Sequence, residues 1–291
     1  MESMLRSIYQ ERASRKETSA VLLLEKDAFR GSRTDYFDEV LVVIVNKADV
    51  SWFVKHYEYE EKKAAMHVVT EQQLREWILS GPNRRIVQWV LNSKVIFERN
   101  EFIENLREEL REFPIKFREK KMNLEFAKLL RSYSIGRDLY ESKEYFDAYN
   151  QMVRSLHHLA RLAVMEQGFL PEVTVWNQVK QISPEIYMLY KELVESSEAL
   201  EKRVELLLIA SGFAISARTE KGSCHFLKIL QTSDKSWTFG ELMKHPEIED
   251  YALDLAVLIE HLVEKGYVQI VKESTKGGTI YHRTYRYKEG L

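Results

Sequence analysis

The stretch of this chain with the most chemistry in it is Phe29-Arg30-Gly31-Ser32-Arg33-Thr34-Asp35-Tyr36-Phe37-Asp38-Glu39-Val40. A glycine turn lets backbone N–H groups approach a phosphate closely, with no Cβ in the way. Carboxylates that follow such a turn can hold Mg²⁺, the ion that accompanies phosphates. Residues 40–45 come next, an apolar, β-branched run that reads as a buried strand. Along a strand only residues two apart share a face, so alternation decides which acids could cooperate. Asp38 shares its face with Val40. Glu39 points to the other face, and Asp35 has the parity of Glu39.

Other residues that could do chemistry lie on helical patterns. His158 and Arg161 are three apart and share a helix face. With Glu166 they could line a substrate cleft. The same residues read equally as structural, with Arg161 paired to a nearby acid. Trp176 could stack on a base or sugar, or anchor helices in a core. His67, on a strand, has no partner at metal-ligand spacing and reads as a strand-face residue.

The elements that position these residues change texture along the chain. Residues 1–116 alternate strands (40–45, 64–70, 93–98) with helices (71–79, capped by Thr70, and 83–91). A helix is expected ahead of the Gly31-Ser32 turn. From 117 to 217 the strand signal disappears. Leu124, Ala127 and Leu130, then Met152, Leu156, Leu159 and Ala163, repeat at helical spacing, which predicts a helical bundle. Residues 218–291 predict short helices at 224–231 and 239–244 and a longer one at about 248–265. A hairpin comes last, turning at Gly277-Gly278. That is the order of a winged helix-turn-helix, and the whole is an α+β protein.

Composition excludes several classes. Lys plus Arg number 43 and Asp plus Glu 45, so the net charge of −2 gives no push toward nucleic acid or membrane. The single cysteine, Cys224, rules out an intramolecular disulfide and a multi-cysteine metal site. No apolar run approaches the ~18 residues of a membrane span, and no signal peptide is evident, so a cytoplasmic protein is expected. The predicted recognition helix carries six acids (Glu247, Glu249, Asp250, Asp254, Glu260, Glu264) against Lys265. Acids there repel a phosphate backbone, so a sequence-specific DNA reader is not expected. The basic residues Lys272, Lys276, Arg283, Arg286 and Lys288 sit on the wing instead.

The Gly31-Ser32 stretch resembles the nucleotidyltransferase superfamily, and the first two domains resemble kanamycin nucleotidyltransferase. The whole chain resembles the YgxA-like nucleotidyltransferase-like proteins of Bacillus-type bacteria. That resemblance rests also on Asn92-Ser93-Lys94-Val95-Ile96-Phe97-Glu98-Arg99, Leu156-His157-His158-Leu159-Ala160-Arg161 and Val175-Trp176-Asn177-Gln178-Val179-Lys180. It implies an N-terminal nucleotidyltransferase-like mixed sheet, a helical substrate-binding-like domain and a C-terminal helix-turn-helix. It further implies that Gly31, Ser32 and Arg33 hold the phosphates of a nucleotide. Asp38 would ligate Mg²⁺, Glu39 would join it only through an altered register, and Glu166 stands as a candidate general base. The family pattern asks for a second carboxylate where this chain has Val40 and a third on a neighbouring strand, where residues 64–70 offer none. The expectation is therefore a degenerate centre that binds a nucleotide or a partner without efficient turnover. The alternatives are an active Mg²⁺-dependent nucleotidyltransferase modifying a small molecule or protein, and a regulatory protein acting through its winged domain. A protein partner or a homo-oligomer fits either binding role.

Overall fold

The structure is a computed structural model that describes residues 5–26, 34, 36–80, 84–112, 115–172, 174–233, 235–275 and 279–288. It divides into two compact units, Met1–Glu112 and Phe113–Leu291.

Apolar runs without alternation must be covered on both faces, and two of them form the centre of the first unit. These are β1 (Thr18–Glu25) and β2 (Glu39–Val45), the latter buried at every position. The strand β3 (Trp52–Tyr59) is half-exposed and carries Lys55 and Glu58, as an edge should. With β4 (Lys62–Thr70) and β5 (Lys94–Glu98) these make a sheet of order β3-β4-β2-β1-β5. The β2–β4 pair is parallel and the other pairs are antiparallel. One face packs Leu41, Val43 and Val45 under Leu5, Ile8 and Tyr9, the last two from α1 (Arg6–Ser14). Three helices, α2 (Glu71–Ser80), α3 (Arg84–Asn92) and α4 (Phe102–Glu112), contribute the buried Leu74, Trp89 and Ile103. Thr70 caps α2, its Oγ1 accepting from the Gln73 N–H at 3.2 Å. A helix directly ahead of the Gly31-Ser32 turn would fall on residues that lie outside the described ones; the last described element before it is β1. Its Ala-Val-Leu-Leu-Leu core is as apolar on one face as on the other, so it carries no strand alternation.

The second unit is built on α5 (Ile115–Glu141), α6 (Tyr145–Glu166) and α9 (Leu200–Leu230), with α7 (Val175–Ile182) and α8 (Pro184–Glu195) packed alongside. Gly168 takes φ +85°, the left-handed turn that ends α6 and suits glycine. After α9 come β6 (Trp237–Thr238), α10 (Phe239–Met243), a 3₁₀ turn (Glu249–Asp254), α11 (Leu255–Glu264), β7 (Val268–Ser274) and β8 (Tyr281–Tyr287). The three strands order as β6-β8-β7, completing a winged helix-turn-helix. Two expected helices differ. Residues 224–231 are not a separate element but the end of α9, which runs unbroken through residue 217 for 31 residues, roughly 46 Å. Residues 248–265 break at Tyr251, whose φ of −125° is not helical. One apolar core runs from Phe126 of α5 through Phe226 of α9 to Leu258 and Tyr285.

Close approach of α5 and α9 depends on a missing side chain. A Cβ on Gly222 would lie 2.6 Å from the Phe126 ring, which is fully buried. Beside it, the Phe226 N–H donates to Asn123 Oδ1 at 3.1 Å. Gly222→Val should lower stability by about 1–3 kcal/mol, because neither helix can move without opening the core. Gly240→Ala, where a Cβ meets nothing within 4 Å, should instead gain up to about 1 kcal/mol of helix propensity. Paired thermal or urea melts of the two variants test this contrast.

Candidate functional site

Of the expected phosphate-binding residues, Gly31, Ser32 and Arg33, with Asp35, lie outside the described residues. Thr34 and Phe37 close the next turn, the Phe37 N–H donating to the Thr34 carbonyl at 2.9 Å, with the exposed Tyr36 at φ 68° between them. That turn delivers Asp38 to the mouth of the sheet. The Asp38 N–H donates to the Lys63 carbonyl at 2.8 Å, and the Asp38 carbonyl accepts from Lys26 N–H at 2.9 Å.

The Asp38 carboxylate has two partners of its own. Oδ2 accepts from the Lys63 backbone N–H at 2.9 Å, and Oδ1 lies 3.5 Å from the Lys26 ammonium. The Lys63 N–H, then the lysine charges, hold its pKa below the ordinary carboxylate value. Val40, two positions on, is fully buried. Glu39 takes the other face and is 2% exposed. Its Oε2 is buried with no hydrogen-bond partner, and its cross-strand neighbour is Glu25. Burial, then the Glu25 charge, raises the Glu39 pKa. Glu25 escapes sequence reasoning, because its pairing with Glu39 is set by tertiary register.

The neighbouring β4 places Ala64 beside Glu39, Ala65 beside Val40 and His67 beside Val42. His67 stacks on Trp52 (ring centroids 6.3 Å) and meets Trp89 edge-on at 4.9 Å. Among the described residues no group of three or more His, Cys, Asp or Glu side chains converges on a metal position. The sheet does bring together one carboxylate held by a lysine and an amide, and on the opposite face a cross-strand carboxylate pair.

The residues expected to line a cleft sit inside the second unit. Arg161 is 1% exposed, and its Nε donates to Glu125 Oε1 at 2.8 Å. His158 Nδ1 lies 2.7 Å from Glu125 Oε2. Glu125, on α5, is invisible to sequence reasoning, since nothing in the spacing links it to residues 33 and 36 positions away. Glu166 accepts from Arg218 Nε at 3.1 Å. Trp176 stacks on Tyr190 at 3.9 Å and packs against the bundle core.

In the winged domain, the acids that begin the third helix are bonded to the bundle. Lys120 Nζ lies 2.9 Å from Asp250 and 3.8 Å from Glu247, and Arg131 Nε lies 2.5 Å from Asp254. On the wing, Arg283 is bonded to Glu260 at 2.7 Å. Lys276 lies outside the described residues.

Comparison with known proteins covers the whole chain. Residues 1–118 match the family model described as nucleotidyltransferase-like, 119–218 the YgxA-like substrate binding domain, and 224–287 a helix-turn-helix domain. The chain is 46% identical over 291 residues to the YgxA protein of Bacillus subtilis (strain 168), covering 100% of this chain and 99% of that one. A crystal structure of a nucleotidyltransferase-like protein from Exiguobacterium sibiricum 255-15 matches with a TM-score of 0.83 and 39% identity over 99% of both chains. No helix among the described residues is long and apolar enough to cross a membrane.

A charged carboxylate at position 39 destabilises this fold, because its folded pKa lies above the unfolded one. The protonated form is stabilised below the unfolded value of 4.5, and that benefit is lost as pH rises through the folded pKa. Glu39→Gln should therefore raise the thermal midpoint by a few degrees at pH 7.5. At pH 4 the difference should shrink toward zero. Melting curves across that range check both the sign and the window.

Proposed function

Because this chain belongs to the YgxA-like family of nucleotidyltransferase-like proteins, we propose that it keeps the nucleotidyltransferase fold as a binding scaffold whose metal centre is degenerate. It binds a nucleotide, or a partner, without efficient turnover. The observation that carries this reading is the state of Asp38. Two-metal phosphoryl chemistry needs several carboxylates facing one another across a pair of Mg²⁺ ions. Asp38 is tied to the Lys63 N–H and pairs at 3.5 Å with the Lys26 ammonium, so its charge already has partners in the protein. The next residue on its face is the buried Val40, and Glu39 is directed away from it. These side chains do not fit a two-Mg²⁺ site, and no reaction step is assigned to such a site.

Calorimetric titration with a panel of nucleoside triphosphates, with and without Mg²⁺, tests the proposal. The expected result is weak binding that Mg²⁺ barely changes. Tight Mg²⁺-dependent binding, abolished by Asp38→Asn, would overturn it and favour the active-transferase reading.

A second reading is regulatory and draws on the helix-turn-helix match. Helix-turn-helix proteins read DNA through the start of the recognition helix. In this chain Asp250 and Asp254 of that region face Lys120 and Arg131 of α5, and Arg283 is held by Glu260. We infer that any DNA contact is made by the remaining wing cations Lys272, Arg286 and Lys288, and is sequence-blind. Selection from a random duplex library with the full chain should return no motif, and residual binding should fall steeply with salt. Recovery of a defined motif would refute this.

A further inference from the structure

The second unit contains a cleft of about 670 Å³ walled by α5, α9 and α11. The volume is in the range of small-molecule sites. Its floor is apolar, set by the buried Leu130 and Ile215 with Val257 alongside. The hydroxyls of Tyr133, Ser134 and Ser216 add polar edges. Tyr133 is fixed in place, because its hydroxyl donates to the Leu208 carbonyl at 3.2 Å across the side-chain-free Gly212.

The charges at the rim are unequally engaged. Glu260 is bonded to Arg283 of the wing at 2.7 Å. Among the described residues Arg137 has only the long contacts to Asp138 and Glu141, at 3.9 and 4.0 Å, on a half-exposed side chain. Among the described residues neither Glu264 nor Lys265 has an ion pair. Arg137 and Glu264 both line the cleft, and the charges of both reach the Tyr133 hydroxyl. The cleft therefore offers two available cations and one available carboxylate above an apolar floor.

His261 adds a neutral polar ring. Thr219 Oγ1 donates its one proton to the Ile215 carbonyl at 3.1 Å and lies 3.0 Å from His261 Nε2. The imidazole is thereby tied to α9 through Nε2 on a ring that lines the cleft. Burial holds the pKa of this imidazole down at about 4, so it is neutral at physiological pH.

We propose that this cleft binds a zwitterionic ligand of amino-acid to dipeptide size with an apolar side chain. The carboxylate would sit between Arg137 and Lys265. The ammonium would face Glu264, and the side chain would cover Leu130 and Ile215. A ligand that carries both signs engages Arg137, Lys265 and Glu264 together, where a simple anion or a simple cation would leave one sign of the lining unanswered. Half of the lining residues come from α11 and its C-cap Lys265, so the ligand would touch both the bundle and the third helix of the winged domain. The proposal does not rest on the state of the metal centre.

The test uses the full chain and calorimetry with free leucine, phenylalanine and Leu-Leu, each against its N-acetyl and C-amide forms. The uncapped zwitterions should bind, and either cap should weaken binding at least about tenfold, the value of one charged hydrogen bond. Glu264→Gln should remove the discrimination against the N-acetyl form alone, and Arg137→Gln with Lys265→Gln the discrimination against the amide. Ala256→Trp, at an exposed helix position on the cleft wall, should abolish binding while leaving the melting curve of the free protein in place. Failure of every zwitterion to bind at millimolar concentration overturns the proposal. So does equal binding of capped forms, binding that survives Ala256→Trp, or a preference for inorganic phosphate or a nucleoside monophosphate.

Discussion

Along β2, every odd-numbered side chain faces the α1 side of the sheet, and every even-numbered one faces the side of His67 and Trp89. This period-two rule cannot be evaded without a bulge, and β2 has none against β4. The adjacent acids Asp38 and Glu39 therefore act in different surroundings. One is at the sheet mouth among lysines and backbone amides. The other is sunk beside Glu25. Identical chemistry acquires opposite titration behaviour from a difference of one residue. Everything inferred about phosphate chemistry in the first unit depends on that separation.

The second unit is organised by a different constraint, the distance between α5 and α9. Gly222 lets the Phe126 ring enter, Asn123 reaches a backbone amide across the contact, and Gly212 lets Tyr133 reach a carbonyl further along. Because the two helices are fixed at two points, the third helix of the winged domain packs on a rigid surface. Its acidic start meets Lys120 and Arg131 there. Electrostatics that would oppose DNA thus hold a domain to its neighbour instead.

Much of this architecture is legible in residue order. The apolar run of β2, the strict spacing of Met152, Leu156, Leu159 and Ala163, and the glycine-turned hairpin each encode one element strongly. The strand β1 is hidden, because a strand buried on both faces shows no alternation and resembles a helical segment of the same length. The edge strand β3 is hidden for the opposite reason: it is too exposed to show an apolar face. The continuity of α9 is masked by small residues. Ser211, Gly212, Ser216, Gly222 and Ser223 look like a linker, yet Gly212 and Gly222 are where α5 side chains come close. Pairings such as Glu125 with Arg161 and Glu25 with Glu39 are matters of tertiary register, which single-residue patterns do not contain.

The unbroken α9 also bears on how such a protein can be inherited. Domains that meet at a flexible linker can be exchanged by recombination at the seam, each arriving with its own core. Here the seam between bundle and winged domain passes through the middle of a helix whose last turns, at Gly222 and Phe226, are packed into α5. A crossover near residue 217 would deliver two halves of one hydrophobic core, each with its apolar face open to water. The bundle and its winged domain should accordingly travel through evolution as a single cassette.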